Sequence, residues 1–143
     1  MMTLLLAASL SAWATDKATV SHYTAGEARK TASGAAQVWR IAGAQEGAKN
    51  AFFAVLELQP GAKVPVHRDD TEEYIYILSG TGQMTIDGVT TPVGPGTGVF
   101  MPAKAEVSFV ADAEEPVRAV QFFSGQGPEA KYEGWLPVSG ETP

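Results

Sequence analysis

One histidine and two carboxylates sit close together in the stretch Gly61-Ala-Lys63-Val-Pro-Val-His67-Arg-Asp69-Asp-Thr-Glu-Glu73-Tyr-Ile-Tyr-Ile-Leu-Ser-Gly80. His67 and Asp69 are two residues apart, so on an extended strand their side chains leave the same face. Glu73 opens a second strand, 73–78, whose Tyr-Ile-Tyr-Ile centre is aromatic and β-branched. If Asp70-Thr71-Glu72 turns the chain back, Glu73 faces His67 and Asp69 across a strand pair. An imidazole and two carboxylates meeting at one point form a site for a divalent metal or for proton transfer, with His67 and Glu73 as the acid/base candidates.

The elements around this stretch read as strands. Residues 37–42 alternate and end at Gly43, and 51–58 is apolar on both faces except at Glu57. Gln59-Pro60-Gly61 is a turn, followed by strands at 63–67, 73–78 and 83–87. Asp87-Gly88 is a strong two-residue hairpin signal. Strands at 89–93, 99–101, 106–110 and 117–123 bring the expected number to about nine, within the jelly-roll range. Fifteen glycines and nine prolines punctuate short apolar runs, as an all-β architecture with many turns requires. With 143 residues the chain makes one domain that buries roughly two thirds of its unfolded surface.

The twenty residues from Gly61 to Gly80 resemble the first motif of the cupin superfamily: Gly, five residues, His, any, His, three or four residues, Glu, six residues, Gly. Gly61, His67, Glu73 and Gly80 fall in register, and Asp69 stands where the family has its second histidine. Gly96, Pro102 and Ala103 resemble the second motif, but Lys104 replaces its glycine and Val107 its histidine. The resemblance implies a single-domain, cupin-type jelly-roll β-barrel. In metal-binding members the motif 2 histidine joins the motif 1 ligands around one ion; here His67, Asp69 and Glu73 are the ligands left. Such a set favours harder ions such as Mn²⁺ over Zn²⁺, within a candidate list of Mn, Fe, Ni and Zn.

Strand parity sorts the interior. If His67 points inward, Lys63 and Pro65 do too; Glu73 inward takes Ile75 and Ile77 with it and leaves Tyr74 and Tyr76 outside. Val107 is inward by the family alignment, and Phe109 follows it. The expected pocket is lined by Lys63, Ile75, Met84, Val107 and Phe109, with His67, Asp69 and Glu73 as its polar cluster: a small-molecule site. Without an ion, crowding raises at least one carboxyl pKa and favours His67 as imidazolium. Gln121 and Arg40 lie on flanking strands with no sequence signal for their direction, and His22 has no ligand spacing around it.

The remaining features bound the partners. A net charge of −6 with ten scattered basic residues argues against nucleic acid. The absence of cysteine removes disulfides, thiolate nucleophiles and thiolate metal sites. Residues 1–14 read as a signal peptide without a positive n-region, cleaved after Ala12-Trp13-Ala14. That leader places the protein in the periplasm or outside the cell; without it the chain is cytoplasmic. The apolar run is too short to span a bilayer, so no membrane partner is expected of the mature form. Residues 15–36 read as an N-terminal arm, 37–123 as the barrel, and 124–143 as a tail packing back on it. Outward tyrosines suit the homodimer common among cupins.

Two function classes follow: a small-molecule-binding barrel with a degenerate metal site, or a metal-dependent isomerase, lyase or dioxygenase acting on a sugar or small organic acid.

Overall fold

The computed structural model describes residues 18–138; the leader expected at residues 1–14 lies outside them. Among the described residues, eleven antiparallel strands form two sheets. They are β1 (Ala28–Lys30), β2 (Ala36–Ala42), β3 (Ala51–Leu58), β4 (Lys63–His67), β5 (Glu73–Ser79), β6 (Gly82–Ile86), β7 (Val89–Val93), β8 (Gly98–Met101), β9 (Val107–Ala111), β10 (Val117–Ser124) and β11 (Leu136–Pro137). The larger sheet runs β11-β1-β2-β3-β10-β5-β8 and the smaller β4-β9-β6-β7, giving a jelly-roll-like fold. Among the described residues no helix is long and apolar enough to cross a membrane.

The alternation read from the sequence decides which faces meet. On β5, Glu73, Ile75 and Ile77 are buried while Tyr74 and Tyr76 are exposed. On β10, Val117, Ala119, Gln121 and Phe123 are buried in the same rhythm. The pairs Ala119↔Ile77, Gln121↔Ile75 and Phe123↔Glu73 put both sets on one face. Met84, Val107 and Phe109 of the smaller sheet are buried against them.

Turn chemistry sets the register. Asp87 and Gly88 both have positive φ (46° and 81°), as a type I′ turn demands, and join Ile86 to Val89 in a two-residue hairpin. Gly80 is held at φ 77°, where an added Cβ would lie 2.4 Å from the Pro116 carbonyl oxygen, so only glycine fits.

The sequence reading and the structure part in three places. Ala28–Lys30, inside the expected arm, is a strand paired with β2 on one side and with β11 on the other. The first and last described strands therefore pair with each other at one edge of the large sheet. The tail is ordered by a 3-10 helix, Pro128–Gly134, that buries Tyr132 against Phe52 (ring centroids 5.8 Å apart). Finally, β4 carries a bulge between Val64 and His67. Val64 faces Phe109 and packs on the core, whereas Lys63 pairs with the exposed Val110. The extra residue restores His67 to the inner face, opposite Val107. Pro65, which has no N–H to give the ladder, lies in the bulge.

Candidate functional site

The space between the sheets is a cavity of about 520 Å³. Its walls are mainly aliphatic: Leu56 and Leu58 of β3, Ile75 and Ile77 of β5, and Val117 and Ala119 of β10. Of the residues expected to line it, Ile75, Met84, Val107 and Phe109 are buried in its wall. Lys63 also borders it but is exposed, placed at the rim by the β4 bulge.

His67, Asp69 and Glu73 converge at the polar end, one ligand atom from each lying within 4.8 Å of the others. His67 comes from the small sheet, Glu73 from the large one, and Asp69 from the loop between them. That loop is fastened from the opposite side: the Lys104 N–H donates to the Asp69 carbonyl at 2.7 Å. Lys104, which replaces the motif glycine, adopts φ 65° to do so.

Each group is tuned by named neighbours. The Nδ1–H of His67 donates to the Pro65 carbonyl at 2.9 Å, which aims Nε2 at Asp69, 3.5 Å from Oδ2. The Asp69 carboxylate raises the His67 pKa above its ordinary 6.5, against the partial burial of the ring. Burial alone would raise Asp69, but hydrogen bonds from His67 and Lys131 reverse this and hold it below its ordinary 3.8. Glu73 is 6% exposed, and desolvation raises its pKa above 4.5 although Gln121 donates to it.

Three polar residues beyond the expected set complete the site. Gln121, buried like Glu73, donates Nε2–H to Glu73 Oε1 at 2.6 Å. Its own Oε1 accepts from the Tyr132 hydroxyl at 2.6 Å, and burial keeps that phenol protonated by driving its pKa far up. Lys131 Nζ donates to both oxygens of Asp69 at 2.9 Å. Gln121 is readable after the fact from the alternation of β10. Lys131 and Tyr132 carry no local signal, because they reach the site through the tail. His22 stays at the surface, bonded to Thr24, and Arg40 pairs with Glu27 and Glu46 away from the cluster.

The family model described as cupin domain matches residues 54–123, which hold all three converging residues. Among solved structures, an RmlC-like cupin from Shewanella frigidimarina superposes with TM-score 0.62 and 16% identity, covering 71% of this chain and 86% of that one. The chain belongs to the cupin superfamily. This cupin also superposes on the polyketide cyclase RemF from Streptomyces resistomycificus, with TM-score 0.69 and 22% identity over 78% and 82% of the two chains. At such identities the likeness is one of fold. In sequence it is 32% identical to dimethylsulfoniopropionate lyase DddW from Ruegeria pomeroyi over 78 residues, 53% of this chain and 51% of the relative. The matched region spans about half the length of the curated relatives.

Cupins often bind a divalent metal, and the donors of this cupin can be tested against one. One nitrogen and two carboxylates within 4.8 Å suit an oxygen-preferring ion. Val107, opposite His67, adds no fourth donor. The ammonium of Lys131 already sits on Asp69, one of the three donors.

Proposed function

We propose that this cupin binds a small neutral molecule with an apolar body and one hydrogen-bonding head, such as a carbonyl compound. The observation that carries the reading is the cavity itself: aliphatic walls around about 520 Å³, with polar side chains gathered at one end. Lys131 balances the charge of Asp69, and burial raises the pKa of Glu73, disfavouring its charged form. A neutral head therefore meets donors and acceptors without leaving an unpaired charge.

The test uses prodan, a neutral fluorescent ketone whose emission reports polarity. Blue-shifted, saturable binding that Ile75→Trp abolishes by filling the cavity, and that Phe100→Ser on the outer face leaves intact, supports the reading. Binding that survives Ile75→Trp sinks it.

A second reading, that the same site is catalytic, is favoured by the His67–Asp69 pair beside a buried acid whose pKa is raised. Its chemistry would be a lyase, isomerase or dioxygenase reaction on a small organic acid or sugar; the similarity to a protein named as a lyase supports the first. His67, Asp69 and Glu73 would hold the ion, which would supply Lewis-acid polarisation. Gln121 would orient Glu73, and the aliphatic walls would exclude water. Stoichiometric Mn, Fe, Ni or Zn in purified, metal-supplemented protein, lost in His67→Ala, would favour this reading. Export and self-association through the outer face of β5 are part of the proposal.

A further inference from the structure

We propose that Lys131 is a tethered counter-cation of the site, so that a divalent ion enters His67, Asp69 and Glu73 only by displacing its ammonium from Asp69. The inference rests on the reading of these three residues as the polar end of the cavity.

The geometry is that of a held cation. Nζ lies 2.9 Å from both Asp69 oxygens, so one ammonium bridges the carboxylate. On its other side Nζ stands 4.9 Å from the ring centroid of Phe123, a fully buried residue paired with Glu73 on β5. A lysine on a free tail would spend considerable side-chain entropy to stay there. This one is delivered by anchored backbone. Its neighbour Tyr132 is buried and bonded to Gln121, the Trp135 N–H donates to the Tyr132 carbonyl at 3.0 Å, and β11 pairs with β1 directly after.

The ion and the lysine compete for Asp69, because the ammonium is bonded to both oxygens from which an ion would take its donor. Two positive charges a few ångströms apart also repel, although water at the exposed lysine screens part of the repulsion. Losing the fourth donor to Val107 and gaining Lys131 act in the same direction: each weakens a divalent ion's hold. Together they leave the carboxylate ionised and paired while the rest of the cavity stays open to a neutral guest. The tail thus sets what the site accepts.

The experiment is a Mn²⁺ titration of the full, metal-free chain, followed by the electron paramagnetic resonance signal of free Mn²⁺. Lys131→Met and Lys131→Gln remove the charge in two ways, and Lys131→Arg keeps it. The expected result is Mn²⁺ binding at least about tenfold tighter in whichever neutral variant folds, with Lys131→Arg matching the parent and Asp69→Asn abolishing the gain. Neutral variants that bind Mn²⁺ no more tightly than the parent, or not at all, overturn the proposal, as does failure of both to fold, since a counter-cation is not required by the core. Prodan binding distinguishes the two levels of the account: if it persists while the Mn²⁺ prediction fails, the cavity reading stands and only the role of Lys131 falls.

Discussion

Gln121 donates to Glu73 across 2.6 Å between adjacent strands, and it is the buried partner on which the orientation of that carboxyl depends. The same amide accepts from Tyr132, so one side chain fixes an acid of the large sheet and a phenol of the tail. Fixed groups at the polar end of an aliphatic cavity are what a selective pocket requires, because a ligand then finds its partners already placed.

Replacing Gln121 by Leu keeps the volume but strands both groups. Leaving a buried carboxyl and a buried hydroxyl without partners is expected to cost about 2–4 kcal/mol of folding stability. Urea unfolding measures it, and a loss below the cost of one surface hydrogen bond would mean the chain from Tyr132 to Glu73 is not formed.

The pH dependence follows from the shifts, group by group. Asp69 is lowered, so its contribution is present above 3.8 and is lost as pH falls through its folded value. His67 is raised, so its contribution is complete below 6.5 and is lost as pH rises through its folded value. Glu73 is also raised, so its contribution is complete below 4.5 and disappears as its buried carboxyl is forced to ionise. Stability therefore peaks at mildly acidic pH. The advantage of the parent over His67→Gln should shrink above pH 6.5, and Glu73→Gln should gain on the parent as pH climbs above 4.5. Parallel stability curves for parent and variants would refute these assignments.

Most of the frame was legible in the chain, and the reasons are local. The alternation on β5, the Asp87-Gly88 turn and the spacing of Gly61, His67, Glu73 and Gly80 each depend on residues a few positions apart. What was not legible depends on distant partners. Lys131 meets Asp69 across 62 positions, and β1 and β11 are too short to show a period until they pair with each other. Lys63 lines the cavity only at its exposed rim, because the bulge at Pro65 resets the strict alternation that would turn it fully inward. Gln121 could have been placed, since Val117, Ala119 and Phe123 mark the inner face of its strand.

Val107 faces His67 from β9, where the family places its histidine. Val107→His should lower stability without metal by about 1–3 kcal/mol, as a buried ring loses water and valine packing is lost. Added Zn²⁺ should then raise its melting temperature well beyond the parent's response. An equal response in both proteins would mean that position 107 does not look onto the donor set.

Lys104 pays a conformational penalty at φ 65° to present its N–H to Asp69. Lys104→Gly relieves that strain, offset in part by the freedom glycine has when unfolded, for an expected net gain of about 0.5–1 kcal/mol. Chemical denaturation decides it; a destabilised variant would place the value of Lys104 in its side chain.

The most direct measurement exploits the chain's having only two histidines. Nitrogen-15 correlation spectra of the imidazoles, recorded as prodan is added, separate a cavity residue from a surface one. The account predicts that His67 shifts with the ligand isotherm, with Nε2 moving most and Nδ1 keeping its proton, while His22 is unmoved. Saturable prodan binding that leaves His67 where it was, or that shifts both rings alike, would contradict it.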